Sequence, residues 1–312
     1  MSSLRNESFP QIALGTGAWN SPFPAIPEQQ AVELAHSILQ DGGEQPASRG
    51  FFDTAPLYGR GLSEQWLGDA LSGYPRSSFI VSTKAGYELG GPGWPKHNLT
   101  RDGLFRSLEN SLKRLRLEQV DILHLHDPDC CLDDALNISF PALAELRAQG
   151  LIRAVGAGMN QWSMLLEFAR NADVDCFLLA GRYTLLDHSA MPLLDFCQQK
   201  GIAIFLGSVY ATGILATGAV EGARYIYRPA SEEILARVRA MEALCAEHGI
   251  PLRAAALQFA LGHPAVRSLV IGGQSIAEWQ DNEAMLGVKI PPAFWEELRG
   301  RKLVDPQTPV PV

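Results

Sequence analysis

Short, almost wholly apolar runs alternate along the chain with longer stretches in which apolar residues recur every three or four positions. The short runs have the length and composition of buried strands, and the longer stretches have the period of amphipathic helices. The predicted strands are Ile12–Leu14, Gly50–Asp53, Phe79–Thr83, Val120–His126, Ile152–Ala157, Asp175–Ala180, Ile202–Leu206 and Val266–Ile271. The predicted helices lie near Glu28–Gln40, Ser63–Leu71, Arg101–Leu115, Asp133–Gln149, Gln161–Arg170, Ser189–Lys200, Ser231–His248 and, after the last strand, Ser275–Leu286.

Eight strand-and-helix units in this order predict a parallel sheet that is buried on both faces. Within 312 residues they fit a closed (β/α)₈ TIM barrel better than an open doubly wound sheet. A second helix before the last strand, Pro251–His263, is expected to lie outside the repeat. Because no composition break divides the chain, we expect one domain over residues 1–312, with the Pro-rich tail 305–312 as a loop or a loosely docked extension.

Composition and charge narrow the class of protein. The chain is 46% hydrophobic, enough for a substantial core, and its formal charge is −8, which argues against a nucleic-acid-binding surface. No run of 18 apolar residues predicts a membrane span, and the first residues lack the apolar segment of a secretory signal. We expect a cytoplasmic monomer or homodimer that acts on a small molecule.

The five cysteines form no Cys-x-x-Cys pair. Cys130 and Cys131 are adjacent, a spacing that is awkward for a metal ligand set or a structural bridge. We therefore expect free thiols in a reducing compartment and no metal site.

Ionisable residues stand where predicted strands end. Asp53 closes the second strand and Tyr58 follows in its loop, while Lys84 and His126 close the third and fourth strands. In a parallel barrel these ends surround one mouth, and neighbouring strands are only about 5 Å apart. We expect the four side chains to form one cluster.

This set suits hydride transfer between a carbonyl and an alcohol, which needs a proton to be delivered to, or taken from, the reacting oxygen. A phenol is a weak acid at neutral pH because its pKa lies near about 10. A nearby ammonium is expected to lower the pKa of Tyr58, and a carboxylate beyond the ammonium keeps it charged. His126 can position the substrate oxygen or relay the proton.

The motif Phe52-Asp53-Thr54-Ala55-Pro56-Leu57-Tyr58-Gly59, with Ser63-Glu64 and Leu67-Gly68 after it, resembles the signature of the aldo-keto reductase family. Ser82-Thr83-Lys84, the strand ending in His126-x-Pro128, and the segment 150–156 resemble the family in order and spacing. The resemblance runs from about Gln11 to about Asn282. It implies the (β/α)₈ barrel and a catalytic tetrad of Asp53, Tyr58, Lys84 and His126. His124, two residues before His126, is interpreted as a core residue.

No Gly-x-Gly-x-x-Gly follows the first strand, so a Rossmann module is not implied. A nicotinamide cofactor is instead expected across the barrel mouth, near the loops after strands 7 and 8. The resemblance implies cofactor contacts from Asn160, Gly207, Ser208, Tyr210, Gly213, Leu215, Gly272, Gly273, Gln274, Ser275, Glu278 and Asn282.

The chain departs from the family pattern near the expected cofactor. Where many members have a cation for the 2′-phosphate of NADPH, this chain has Gln274 with Glu278 close by, which favours NAD, with NADP as the alternative. The usual Gln after strand 6 is missing, and Gly207 stands where an aromatic residue usually stacks on the nicotinamide.

These departures resemble the subgroup of aldose 1-dehydrogenases and pyridoxal 4-dehydrogenases, in which NAD-dependent oxidation takes a cyclic hemiacetal to a lactone. Aromatic residues at the mouth are candidates for stacking on a sugar: Trp19, Tyr87, Trp94 and Trp162. The alternatives are a broad NADPH-dependent aldehyde or ketone reductase, a pyridoxal 4-dehydrogenase, or a cofactor-binding regulatory subunit. A metal-dependent hydrolase would need several clustered His and carboxylate residues at the strand ends, and only one His is so placed.

Overall fold

The computed structural model describes residues 7–20, 25–41, 49–89 and 95–311. Eight parallel strands close into a barrel in which the first strand pairs with both the second and the last. The predicted (β/α)₈ fold is therefore confirmed. The strands are β1 (Ile12–Gly15), β2 (Gly50–Asp53), β3 (Phe79–Ala85), β4 (Val120–His126), β5 (Ile152–Met159), β6 (Cys176–Ala180), β7 (Ala203–Gly207) and β8 (Val266–Gly272).

Helices surround the barrel and bury their apolar faces against it. The main ones are α1 (Glu28–Asp41), α2 (Leu62–Leu71), α3 (Arg101–Leu115), α4 (Phe140–Ala148), α5 (Trp162–Asn171), α6 (Met191–Lys200), α7 (Glu232–Glu247), α8 (Leu252–Leu261), α9 (Ile276–Leu286) and α10 (Pro292–Gly300). A short helix, Leu132–Asp134, and a π-helical turn, Ala135–Ser139, lead into α4.

The barrel interior is a packed core and not a channel. Side chains alternate in and out along each strand, and the inward layer below the mouth consists of Ala13, Phe51, Ile80, Ile122, Ala154, Cys176, Ala203 and Phe205. Phe9, which precedes β1, packs against this layer, with its ring centroid 5.1 Å from that of Phe205. A solid floor of this kind leaves the opposite end, where the strands finish, as the place for a ligand.

The assignment of the helices around β8 differs from the sequence prediction. The α8 helix, expected outside the repeat, packs directly on β8 and α9, while α7 packs on α8 and α10. The reason is the distribution of small residues: α8 presents Ala254, Ala255 and Ala256, all fully buried, so that it fits closely against the sheet. It is α7, with its charged first turn, that forms the additional outer layer.

The C-terminal tail is docked more firmly than expected. Thr308 is buried, its carbonyl oxygen accepts a hydrogen bond of 2.8 Å from Arg299, and Pro311 packs against Gly262. Within the described part of the chain, no helix is both long and apolar enough to cross a membrane.

The expectation of free thiols is wrong for two cysteines, because Cys130 and Cys131 are joined by a disulfide bond. Cys176, Cys197 and Cys245 are free and buried. Adjacent cysteines are rarely bridged, and nothing in the linear spacing indicated this bond.

Gly156 on β5 is required by packing inside the barrel. A Cβ atom there would stand 2.4 Å from the carbonyl oxygen of Cys176 and 2.5 Å from Nδ1 of His124. We expect Gly156→Ala to lower the free energy of unfolding by about 1–3 kcal/mol, the usual cost of overpacking. Gly300→Ala, where the new methyl group meets no atom within 4 Å, is the matched control. Urea unfolding of both variants tests this, and a Gly156→Ala protein as stable as the control contradicts it.

Candidate active site

The register of the strands brings two kinds of residue to the mouth of the barrel. Asp53 stands opposite Ser82, Lys84 opposite His124, and His126 opposite Gly158. One side of the mouth, formed by β2, β3 and β4, is therefore polar and ionisable. The rest of the ring is mostly small: Gly15, Gly158, Ala180, Gly207 and Gly272 line the cleft there, and the larger apolar residues Met159, Leu178 and Val270 line it beside them.

Asp53 and Lys84 form a buried ion pair, and each is about 2% exposed. The Nζ atom of Lys84 lies 2.6 Å from Oδ2 of Asp53 and donates a second hydrogen bond, of 2.9 Å, to the carbonyl oxygen of Thr54. Ser82 donates to the other carboxylate oxygen. Burial opposes the charge on Lys84, but Asp53 and Tyr58 outweigh it and raise the pKa of Lys84. The lysine is therefore charged at neutral pH.

Tyr58 is placed by glycines on both sides of the phenol. Gly59 follows it with φ 58°, and a Cβ there would lie 2.6 Å from the side chain of Asn20. From the β1 side, a Cβ at Gly17 would stand 3.3 Å from Cζ of Tyr58. The Nζ atom of Lys84 lies 4.8 Å from the centre of the Tyr58 ring. The phenol is thus fixed directly beside the ammonium.

The acidity of the phenol differs from the sequence-based expectation. Burial raises the pKa of Tyr58, and although Lys84 lowers it as expected, the net direction is upward. The expectation that the ammonium makes the phenol more acidic overall is wrong for the protein without bound cofactor or substrate. The free-energy cost of burying a phenolate is larger there than the gain from one neighbouring cation. Tyr58 is a protonated phenol at neutral pH.

His126 is a neutral imidazole. Burial and the charge of Lys84 hold its pKa well below the usual range, and its ring stands perpendicular to that of Tyr58 with centroids 6.0 Å apart. A neutral imidazole donates one hydrogen bond without adding a charge. His124 lies deeper in the barrel, 1% exposed, where burial lowers its pKa to about 3. This position agrees with the interpretation of His124 as a core residue.

Glu64 stabilises the same part of the barrel through hydrogen bonds on the outer side of β3. It is fully buried, and its carboxylate accepts hydrogen bonds of 2.7 Å from Thr83 and 2.6 Å from Arg114. Because Thr83 precedes Lys84, this contact ties α2 and α3 to β3. Ser63 accepts a hydrogen bond of 3.0 Å from Asn20. Ser63 and Glu64 of the sequence motif are therefore structural supports for the Tyr58 loop.

A cleft of about 470 Å³ runs from the four ionisable residues across the ring of small ones. Six of the twelve residues predicted to contact a cofactor line it: Asn160, Gly207, Ser208, Tyr210, Gly213 and Gly272. Leu215 is fully buried in the hydrophobic core, so its side chain is not accessible to a ligand. Its apolar side chain completes the core under the loop after β7.

The remaining five residues lie around the first turn of α9. Ser275 caps this helix by accepting from the backbone N–H of Glu278, and Glu278 accepts from the backbone N–H of Gln274 at 2.8 Å. The hydroxyl of Tyr210 donates to Asn282 at 2.5 Å, which joins the loop after β7 to α9. Gly273, also in this loop, is buried against Leu14. These contacts form one continuous edge beyond the cleft.

The aromatic residues predicted at the mouth are not brought together. Trp19 is fully buried and contributes to the core, so it is not accessible to a substrate. Trp162 begins α5 and packs half-buried on the core, outside the lining of the cleft. Tyr87 stands beside His126, with ring centroids 5.6 Å apart. Trp94 lies outside the described residues.

Several residues that line the cleft were missed from the sequence, and two of them, Asp127 and Tyr227, carry side chains that can bind a polar ligand. Asp127, with φ 44°, lines the cleft next to His126, and burial, followed by Asp129, raises its pKa. Its place in the segment His126-Asp127-Pro128 was a usable signal, because it directly follows a strand-end residue. Tyr227 also lines the cleft, from the turn of a small hairpin of Arg224–Tyr225 and Arg228–Pro229. No local pattern predicts that this turn reaches the mouth.

Known proteins resemble the chain in sequence and fold. Relatives include a D-threo-aldose 1-dehydrogenase from Pseudomonas sp and a pyridoxal 4-dehydrogenase from Microbacterium luteolum, each 36% identical with 94% of both chains covered. An aldo-keto reductase from Bacillus halodurans, solved in its holo form, shares the fold with a TM-score of 0.76 and 23% identity, covering 95% of this chain and 92% of that one.

Residues 11–301 match the Aldo/keto reductase family, and the barrel and the two relatives agree with this match. The chain therefore belongs to the aldo-keto reductase family and is an NAD(P)-dependent oxidoreductase that acts on carbonyl and CH–OH groups.

Proposed function

We propose that the protein is an NAD-dependent aldose 1-dehydrogenase, which oxidises a cyclic hemiacetal at C1 to a lactone. The observation that carries the proposal is the placement of the Tyr58 phenol on a buried Asp53–Lys84 pair, at the open end of a cleft that His126 and Asp127 also line. A proton-transferring group and polar groups for a hydroxylated substrate are thus in one place.

The cleft has room for a nicotinamide cofactor. A Cβ at Gly158 or Gly207 would meet its nearest neighbours only at 3.5 and 3.8 Å. Packing therefore does not require glycine at either position, and both glycines leave the cleft open. Asn160, Ser208 and Tyr210 offer hydrogen-bonding groups along the same wall. When bound, the cofactor supplies the hydride acceptor for oxidation or the hydride donor for reduction.

The chain's own residues perform the proton chemistry. In oxidation Tyr58 takes the proton of the anomeric hydroxyl, and in reduction it returns a proton to the carbonyl oxygen. Lys84 stabilises the phenolate that forms in oxidation, and Asp53 holds Lys84 in place. His126, neutral in its buried position, donates a hydrogen bond to the substrate oxygen and so orients it.

A sugar fits the polar side of the mouth. The side chain of Asp127 is 42% exposed and its carboxylate accepts hydrogen bonds from hydroxyl groups, as those of a sugar provide. The similarity to an aldose 1-dehydrogenase supports this substrate class. A pyridoxal 4-dehydrogenase is equally similar, so pyridoxal is the second candidate. The third candidate, an NADPH-dependent aldehyde reductase, would need a binding site for the 2′-phosphate of NADPH.

The loop after β8 favours NAD over NADP. Glu278, in the first turn of α9 directly after this loop, is exposed; its carboxylate would repel the doubly charged 2′-phosphate of NADP, whereas a ribose hydroxyl can donate to it. Arg253, a nearby cation, is paired with Asp281. We further propose that the enzyme is a single-domain cytoplasmic protein that works as a monomer or homodimer on small molecules, without nucleic acid or membrane.

We expect Tyr58→Phe to lower kcat by about 10²–10⁴-fold, the usual contribution of a general acid or base. The Kd of NADH is expected to stay unchanged, because the lost hydroxyl acts in the chemical step. A panel of aldoses, pyridoxal and simple aldehydes, followed by the absorbance of the reduced nicotinamide, tests both activity and substrate class. Near-normal turnover in the Tyr58→Phe protein refutes the role of Tyr58, and turnover of simple aldehydes alone refutes the aldose assignment.

The raised pKa of Tyr58 predicts different pH dependences for oxidation and reduction. Oxidation needs the phenolate, so kcat/KM should rise about tenfold for each pH unit on the acidic side of the phenol's pKa. Reduction needs the phenol, which is the dominant form there, so its kcat/KM should stay level. Initial rates in both directions from about pH 6 to about pH 10 measure this. An oxidation rate that is already level at neutral pH contradicts the assignment.

Cofactor preference is tested at Gln274. Gln274→Arg should raise kcat/KM for NADP relative to NAD by roughly tenfold, or about 1.4 kcal/mol, by supplying a partner for the phosphate. Gln274→Met, of similar length but without charge, controls for the loss of the hydrogen bond from Gln274 to the carbonyl oxygen of Ala18. A wild-type enzyme that prefers NADP overturns the proposal for NAD.

A further inference from the structure

The disulfide between Cys130 and Cys131 lies on the substrate side of the mouth. The two residues end the loop that follows β4, whose first residue, Asp127, lines the cleft. Cys130 is exposed and Cys131 half-buried. The backbone of Cys131 is hydrogen-bonded on both sides, with its N–H donating to Pro128 and its carbonyl oxygen accepting from Ala135. The pair is therefore accessible to solvent while its loop is anchored to the barrel.

Aromatic rings connect the pair to His126. The Sγ atom of Cys130 lies 3.4 Å from Nδ1 of His97. The His97 ring packs on Tyr87 with centroids 4.1 Å apart, and Tyr87 meets the edge of His126 at 5.6 Å. The sulfur is thus separated from His126, in the proposed active site, by two rings in contact.

Whether the Cys130 sulfur is oxidised or reduced determines whether Nδ1 of His97 donates or accepts the hydrogen bond between them. A disulfide sulfur carries no hydrogen, so its contact with His97 requires that Nδ1–H donates, which leaves Nε2 as an acceptor. That Nε2 atom is buried and has no hydrogen-bond partner among the described residues. A Cys130 thiol can instead donate to Nδ1, which then acts as the acceptor. Reduction therefore changes the hydrogen bonding of a ring that packs on the Tyr87–His126 contact.

The other cysteines are protected from this chemistry. Cys176, Cys197 and Cys245 are buried, none more than 3% exposed, and burial raises the pKa of each thiol. A reagent in solution therefore reaches Cys130 and Cys131 first.

We propose that Cys130–Cys131 is a reversible redox modification site that controls substrate binding at the barrel mouth. In reduction, a small thiol attacks one sulfur, a second molecule releases the mixed disulfide, and the products are two protein thiols and one oxidised disulfide of the reagent. In oxidation by hydrogen peroxide, one cysteine thiolate attacks a peroxide oxygen and the O–O bond breaks; the sulfur becomes a sulfenic acid, and the hydroxide that leaves takes up the thiol's proton to give water. The second thiol then attacks that sulfur and releases another water, so two electrons pass from the pair to the peroxide.

The two forms differ in how firmly the loop is held. The bridge restricts the last two residues of the loop that carries Asp127, so the oxidised form holds the substrate side of the cleft in place. Reduction frees these residues and changes the partner of His97. Eleven of the twelve predicted cofactor residues end or follow β7 or β8, on the other side of the mouth, and only Asn160 follows β5, beside this loop. We therefore expect cofactor binding to be unaffected.

Thiol labelling and kinetics test this on the whole protein. Native protein is treated with N-ethylmaleimide before and after dithiothreitol, and two additional labels on the peptide containing Cys130 and Cys131 are expected after reduction. The KM of the sugar or aldehyde that the enzyme turns over should rise about threefold to tenfold on reduction, and hydrogen peroxide should reverse it. The Kd of NADH should not change.

The double variant Cys130→Ser/Cys131→Ser is the control, since it keeps the three buried cysteines. Its KM should equal that of the reduced enzyme and should not respond to dithiothreitol or peroxide. Equal KM values in the two forms, or no additional labels on this peptide after reduction, overturn the proposal. The labelling does not depend on the substrate, and the kinetics use any substrate that is turned over, so failure of the aldose assignment is recognised separately.

Discussion

A carboxylate and an ammonium group lie 2.6 Å apart at the top of the barrel, removed from water beneath the phenol that they support. A buried pair of this kind contributes little net stability, because desolvation offsets much of the attraction. Its value is positional: Ser82 and Thr54 bond to the two charged groups, and the pair fixes where a positive charge stands beside Tyr58. The other features of the site are arranged around this fixed charge.

The two sides of the barrel mouth have different chemical roles. On the β2–β4 side, ionisable side chains and their buried supports, such as Glu64 with Arg114, bring rigid polar chemistry to one edge. On the other side, small residues leave an open cleft for a flat ligand. Adjacent strands supply each half of the mouth, so the ionisable residues and the cleft lie side by side in the same barrel.

Local signals in the sequence accounted for the fold and the four clustered residues. Strand periodicity placed Asp53, Lys84 and His126 at strand ends, and register in a closed barrel then brought them together. Features that depend on packing between distant elements could not be predicted from the sequence. The burial of Trp19 and Leu215, the close fit of α8 on the barrel and the approach of Tyr227 to the cleft all arise from contacts across the fold. The pKa of Tyr58 was misjudged for the same reason, because its burial is a tertiary property that outweighs the neighbouring charge.

The central claim, that Lys84 acts on the acidity of Tyr58, is tested most directly by titrating the phenol. Ring ¹³C-tyrosine labelling permits its NMR signal to be followed against pH, with assignment by its loss in a Tyr58→Phe protein. The comparison is between wild type and Asp53→Asn/Lys84→Met, which removes both charges and leaves no buried carboxylate alone. Because the lowering by Lys84 exceeds the raising by Asp53, the account predicts a higher pKa for Tyr58 in the double variant. An equal or lower pKa contradicts it.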